Sequence, residues 1–432
     1  MPSAAPAPGL VRAIGRRDLA AAVVNGVIGS GVFGLPGTIA ALAGRWSPLA
    51  YVLAGAGTLL VVLCFAEVAS RFREAGGPYL YTRAAFGPLA GFEAGWLTFW
   101  IRVTAVAANL NVFVQYLAQL LPAAGSPAGR AAVIVLLTLL VALVNLRGVR
   151  QATWTVNAFT LAKLLPLLLL AAVGLLAFRP AVFSAQAAAQ PDWSQAVLLL
   201  VFAYGGFEAP LIPAGEARDP RRDSGFALLS AMAMVTGVYL LLQVALLGLV
   251  PGLAGHPAPV AAGFALLLGP PGLALASLAA MVSVYGYATG NALQSPRLLF
   301  AMARAGELPA LLGRVHPRFH TPHAAIAAYA LATGALALHG SFEWNATLSA
   351  VVRLATYAAT CAALVVLRRR GTAEPAGFTV PAGPWVAAGG GLFCLWLLST
   401  RSLAQGGVVL GLAAAGALLW LARRRQATAP IP

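Results

Sequence analysis

"NGVIGSGVFGLPG", residues 25–37, decides how the chain is read. It lies inside an apolar run, 18–40, long enough to cross a bilayer. Yet five glycines and Pro36 in thirteen residues are poor material for a continuous helix. A break inside a membrane frees backbone N–H and C=O groups where water is scarce. Those groups must meet a ligand, an ion or other protein groups. A second stretch of this kind, "FAYGGFEAPLIPAGEARDP" at 202–220, carries Gly205, Gly206, Pro210 and Pro213 in the sixth apolar run. Glycine in a membrane helix also serves close packing, but interruptions at matching places in two halves point to a binding site at the bilayer midplane. The free N–H groups around Ser30 and Gly31 suit a carboxylate. The free carbonyls around Val27, Ile28 and Gly29, and from Phe202 through Ala203 and Tyr204 to Gly205, suit an ammonium. An α-amino acid presents both.

The rest of the chain agrees with a membrane setting. Of 432 residues, 60% are hydrophobic and only 9% charged, against about 25% charged in soluble domains, and the mean hydropathy is +0.83. The net charge of +16 does not point to nucleic acid, because the arginines sit in short clusters between apolar runs. Cys64, Cys361 and Cys394 lie in apolar runs and read as small packed side chains. The N-terminal "MPSAAPAPGLVRAIGRRDLA" is a polar, Pro-rich tail rather than a cleavable signal.

Twelve apolar runs are long enough to span: 18–40, 48–70, 90–121, 130–147, 153–178, 193–216, 226–250, 271–303, 323–340, 346–367, 383–400 and 404–421. They are too long and continuous for barrel strands, so the fold class is an all-α polytopic membrane protein. Placing the N-terminus inside puts 20 of the 27 arginines in inner segments and four (Arg45, Arg130, Arg179 and Arg401) in outer ones. That bias predicts both termini in the cytoplasm of a multi-pass cytoplasmic-membrane protein. The remaining three, Arg102, Arg297 and Arg353, fall inside spans.

"TLAKLLPLLLL", 160–170, holds the only lysine of the chain, Lys163. If its helix starts near Ala152, Lys163 sits at roughly 16 Å depth by helical rise, near the middle of a hydrocarbon core about 30 Å thick. Intramembrane ionisable residues face the bundle interior and are functional candidates. Burial disfavours the charged form of a lysine, whereas a guanidinium stays protonated. Lys163 is therefore read either as a proton carrier or as a permanent ammonium locking helices together. Glu208 is either a proton-sensing or gating carboxylate or a helix-start carboxylate. Glu67 is expected to pair with a loop arginine. Arg102 and Arg353 either select an anionic substrate side chain or pair with Glu93 or backbone carbonyls. Tyr285, Tyr287, Thr289 and Asn291, with Asn109 and Asn111, are polar enough to face a cavity, though helical spacing forbids all of them doing so. His316, His320 and His323 are separated by Pro317 and Pro322 and read as a surface loop, not a metal site. No G-x-S-x-G, P-loop or HExxH pattern is present, so neither an enzyme nor an ATP-driven pump is expected, and no cofactor or metal.

Four motifs then converge. "GSGVFGLPG" resembles the Gly-x-Gly-Ile-Phe-x-x-Pro-Gly signature of the amino acid–polyamine–organocation (APC) superfamily of permeases, with Val32 in the Ile place. "CFAEVASRFREAGGPYLYTRAAFGP", 64–88, is similar to that family's second span and following loop. "FAYGGFEAPLIPAGEARDP" resembles its sixth-span motif, and "PRLLFAMARAGELPALLGRVHPRFHTPHAAI", 296–326, its span 8 end and amphipathic loop. The resemblance implies a LeuT-type fold with twelve transmembrane helices. An N-terminal tail (1–17) precedes an inverted repeat of spans 1–5 (18–178) and its partner, spans 6–10 (193–367). Peripheral spans 11 and 12 (383–421) and a tail (422–432) follow. It implies alternating access around the breaks in helices 1 and 6. The substrate carboxylate would lie at Ser30 and Gly31 and its amine at the carbonyls of Val27, Ile28, Phe202 and Tyr204 or Gly205. An aromatic gate would be Phe202 or Tyr204, with Phe207 as runner-up. It also implies that the Lys163 ammonium stands where sodium-coupled relatives hold an ion, bonded near Gly26 and Gly29 and to polar groups of span 8. The expected function is secondary active transport of an amino acid or related amine, proton-coupled rather than sodium-coupled. An ion-independent exchanger and a non-transporting sensor are the alternatives. Pro210, Pro213, Arg102 and Arg353 depart from the common family pattern.

Overall fold

The computed structural model describes residues 15–72, 76–148, 153–186, 190–209, 220–371 and 375–428. Pro210 and Pro213, the helix start near Ala152, the end of the sixth run at 216, most of the N-terminal tail and the end of the C-terminal tail lie outside the described residues. Within them the chain is all helix and turn, with no strand.

The first apolar run forms two helices. α1 (Arg16–Val27) stops and α2 (Gly31–Ala43) begins after three intervening residues. Ile28 leaves the helical region at φ −75° and ψ 86°. After a turn at Gly44 come α3 (Ser47–Ala69), the short α4 (Pro78–Phe86), α5 (Pro88–Leu120) and α6 (Pro127–Arg147). α7 (Thr153–Leu176) carries the lysine, and α8 (Pro180–Ser184) is a single turn. α9 (Trp193–Tyr204) ends at the second Gly-rich stretch. α10 (Pro220–Leu249), α11 (Pro259–Arg304), α12 (His323–His339), α13 (Phe342–Arg370), α14 (Gly383–Ser399) and α15 (Leu403–Thr428) complete the bundle. Local chemistry sets several starts. The side chains of Ser126, Asp192 and Ser341 cap α6, α9 and α13 by accepting N–H bonds from Gly129, Gln195 and Trp344.

Among the described residues, seven helical stretches are long and apolar enough to cross a membrane, and four shorter apolar helices accompany them. Large apolar side chains point outward along α6 (Leu136, Leu139, Leu143) and α7 (Leu161, Leu165). Contiguous exposure of this kind fits lipid, not water. The chain is a multi-pass membrane protein. The most apolar window of α5 is 89% buried, that of α15 only 6%, so α5 is a central post and α15 lies at the rim. α5 packs on α11, α12 and α13, while α1 packs on α7 and α10, and α2 on α9.

One boundary differs from the sequence reading. The run expected to start at 271 belongs to a helix beginning at Pro259, bent at Gly269, whose φ of 66° only glycine adopts freely. Gly269–Pro270–Pro271 therefore acts as a kink where the sequence suggested a start.

Small residues bring α2 and α9 together. A Cβ on Gly31 would fall 2.8 Å from the Cα of Ala203. Gly31→Val is expected to force the two helices apart and cost about 1–3 kcal/mol. Gly411→Ala on the rim helix, where a Cβ meets nothing within 4 Å, is expected to be neutral or stabilising. Thermal unfolding of the two variants in detergent checks both.

Candidate functional site at two helix breaks

The two breaks lie against each other. Gly206 at the end of α9 has φ 107°, and the place of its missing Cβ is taken by the carbonyl oxygen of Gly26 in the last turn of α1. Only a glycine lets the two segments meet here.

The freed backbone groups are met by side chains from three other helices. On α7, Lys163 lies on the buried face with Leu167 and Leu170 and is itself 2% exposed. Its Nζ donates to the carbonyls of Ile28 (3.0 Å) and Asn25 (3.4 Å). On α10, the hydroxyl of Tyr239 stands 3.2 Å from the Ala203 carbonyl and 3.4 Å from that of Val27, spanning both breaks. On α5, Asn109 accepts from the Ser30 N–H through Oδ1 at 3.0 Å and anchors its own amide on the Ala105 carbonyl. The ring of Tyr287 on α11 lies over Gly29, where an added Cβ would approach to 3.1 Å.

Just beyond α9 the chain runs extended at Gly205 (φ −75°, ψ 161°). The Arg353 guanidinium, from α13, occupies the space a Gly205 side chain would need. Arg353 Nη1 donates to Glu208 Oε1 at 2.5 Å. The other carboxylate oxygen accepts from the Tyr357 hydroxyl (3.2 Å) and the Gly206 N–H (3.0 Å). Arg353, Glu208 and Tyr357 are all buried. A paired and fully hydrogen-bonded ion pair is the form in which buried charge is tolerated.

The remaining candidates take distinct places. Phe202 stacks edge-on to Phe342 at 6.1 Å. The hydroxyl of Tyr204 is bonded away from the breaks, to the Tyr51 carbonyl of α3. Phe207 is packed between Phe65 and Tyr357. Asn291 bonds back to the Tyr287 carbonyl of its own helix. Asn111 holds the Ala337 carbonyl and accepts from Arg130. The Ser30 hydroxyl has no hydrogen-bond partner among the described residues. His316 and His320 fall in the loop before α12 and His323 opens that helix, and no group of three metal-ligating side chains occurs among the described residues.

Of the alternatives for the two arginines, pairing with Glu93 is not formed: Arg353 pairs with Glu208, and Arg102 donates to Gln294 Oε1 on α11 at 3.3 Å. Glu93 is nine residues before Arg102 on α5. At about 100° per residue the two point to opposite faces. Glu67 pairs with Arg71 as expected and also with Arg368 at the end of α13. Sequence reasoning did not single out Tyr239, Tyr357 or Gln294. Each is one polar residue in a long helix, with no local pattern around it.

The arrangement defines a class: a multi-pass helical membrane protein in which the interruption between α1 and α2 meets the end of α9 around buried polar groups. The amino acid permease family model matches residues 14–418, and the chain belongs to that family. The methylthioribose transporter of Bacillus subtilis is 31% identical over 418 residues, covering 90% of this chain and 88% of that one. The serine/threonine exchanger SteT of the same organism is 28% identical, covering 94% and 95%. The large neutral amino acids transporter small subunit 2 of Mus musculus is 28% identical, covering 83% and 71%.

Removing one partner of the buried pair strands the other. Glu208→Ala is expected to cost about 3–5 kcal/mol, whereas the double replacement Glu208→Ala with Arg353→Met costs less than the single change. Comparing the denaturation midpoints of the two variants in one detergent checks the order. Tyr239→Phe takes the hydroxyl donor from the Ala203 carbonyl, while Val27 keeps the Gly29 N–H, and is expected to cost about 1 kcal/mol by the same measurement.

Proposed function

We propose that this protein is a secondary active transporter of an amino acid or related amine. It works by alternating access around the two breaks, in the cytoplasmic membrane with both termini inside. The observation that carries the reading is the meeting of the breaks themselves. Freed carbonyls of Val27, Ile28 and Ala203 and the first N–H groups of α2 face one small region, and its walls come from α5, α7, α10, α11 and α13. A carboxylate fits the N–H end of α2 and an ammonium fits the carbonyl ends of α1 and α9. The names of relatives, an exchanger of serine and threonine among them, support an amino acid as cargo.

In this reading α1 with α2 is span 1, α3 span 2, α5 to α7 spans 3 to 5, and α9 with the segment after it span 6. The helices from α10 to α15 supply spans 7 to 12, α11 contributing its part beyond Gly269 as span 8. The first five and the next five form the inverted repeat of a LeuT-type bundle. Phe202 is the aromatic gate, since Tyr204 and Phe207 are committed to α3 and to a ring cluster. The substrate carboxylate takes the Gly31 N–H and the Ser30 hydroxyl, because Asn109 already holds the Ser30 N–H.

Lys163 couples the cycle to protons. As an ammonium it pins two carbonyls of α1 at the break. A neutral amine carries no charge to hold them, so release of the proton frees α1 to swing. Arginine has no neutral form to offer. The second reading, exchange without an ion, follows if the ammonium stays charged and serves as a fixed substitute for one. The likeness to an exchanger favours keeping it in view.

Reconstitution tests this directly. Proteoliposomes are given labelled amino acids and methylthioribose under a pH gradient, under a sodium gradient, or with unlabelled substrate inside. The expected result is uptake driven by external acid, with Lys163→Ala losing the proton dependence. Uptake that needs internal substrate and ignores both gradients establishes the exchanger. Sodium-driven uptake refutes the role given to Lys163.

A further inference from the structure

The region around the breaks holds more positive charge than its pairings use. Lys163, Arg102 and Arg353 are all buried there, at 2%, 5% and 2% exposure. Glu208 is the one carboxylate bonded to any of them among the described residues, and Arg353 takes it. Among the described residues Arg102 has only a neutral acceptor, Gln294, at the long distance of 3.3 Å. Its Nη2 is buried with no partner among the described residues, and so is the Nε of Arg353. A buried guanidinium facing an amide, with N–H groups unspent, is expensive unless something else completes it.

Placement makes that something a ligand. Arg102 is on the same face of α5 as Asn109, which holds the Ser30 N–H, seven residues or about 10 Å further along. Gln294 stands in the same relation to Tyr287, which covers Gly29. The Arg353 guanidinium rests on Gly205 at the second break, and Arg102 lies within electrostatic reach of both Arg353 and Glu208. The two guanidiniums therefore flank the place where a substrate held at the breaks would extend its side chain, along α5, α11 and α13. Planar guanidinium N–H pairs match the fork of a carboxylate or a phosphate, and of the two an amino acid side chain carries the carboxylate.

We propose that Arg102, assisted by the unspent Nε–H of Arg353, recognises a carboxylate on the substrate's side chain. The preferred cargo is then an acidic amino acid of the aspartate or glutamate kind, and cationic amino acids are rejected by like charge. The proposal rests on the transport reading only for where the substrate sits. Its own content is the sign of the side chain.

The test measures binding apart from transport. Thermal stabilisation of the purified full chain in detergent is titrated with L-glutamate, L-aspartate, L-serine, L-leucine and L-lysine. Wild type is expected to bind an acidic amino acid most tightly and L-lysine not at all. Arg102→Gln is expected to weaken acidic binding by at least about tenfold while L-serine changes little. Gln294→Glu gives Arg102 an internal carboxylate, removes the unpaired charge and so favours folding. It is expected to abolish the acidic preference in the same way, which covers the case of Arg102→Gln failing to fold.

Equal binding of neutral and acidic amino acids, binding of L-lysine, stabilisation by none of the five, or an acidic preference that survives Gln294→Glu overturns the proposal. Uptake into liposomes separates the two readings. An acidic amino acid that binds in this way but is never carried leaves the recognition standing and removes the transporter. Neutral amino acids carried while acidic ones neither bind nor compete do the reverse.

Discussion

Backbone groups freed inside an apolar bundle govern this structure. Each unsatisfied N–H or C=O costs several kcal/mol away from water, and the interruption between α1 and α2 together with the end of α9 releases several at once. The chain answers with single polar side chains from helices distant in sequence. Lys163 holds Ile28 and Asn25, Tyr239 holds Val27 and Ala203, and Asn109 holds Ser30. These contacts tie α1, α2 and α9 to α5, α7 and α10. The breaks are thus fixed points of the fold as well as openings in it.

That double role links stability to function. A carbonyl held by a lysine can be released by a change of charge, which a carbonyl held in a helix cannot. The Arg353–Glu208–Tyr357 group does similar work one step away, closing the backbone turn at Gly206 through Glu208. The two arginines differ in their partners. Arg353 has a carboxylate in Glu208, while Arg102 faces only the Gln294 amide, and each keeps one buried N–H group without a partner among the described residues.

Much of this was legible in the sequence because it depends on local composition. Glycine and proline density marked both breaks. The long apolar runs marked the membrane setting, and one lysine in an arginine-rich chain marked itself. The depth of Lys163 along its run marked it as intramembrane, whereas the face it shares with Leu167 and Leu170 is seen in the structure. The rest depends on distances between helices, which no local pattern encodes. Tyr239 is one tyrosine among leucines and valines in α10, and only the crossing of α1, α9 and α10 puts its hydroxyl between two carbonyls. Gln294 and Tyr357 are hidden for the same reason. Gly269–Pro270–Pro271 misled in the other direction: the residues that usually end a helix here bend one.

In the proposed function the substrate binds where the interruption between α1 and α2 meets the end of α9. Ser30 is buried at 0% exposure with its hydroxyl unpartnered, and the three native cysteines are buried too. Ser30→Cys in a chain lacking those cysteines gives a single reporter at this point. The measurement is its rate of modification by a small charged thiol reagent in proteoliposomes, with and without the transported substrate. The account predicts that the cysteine reacts as the protein cycles and is protected by substrate at concentrations that saturate uptake. Modification at the same rate with saturating substrate, in a variant that still transports, would contradict it.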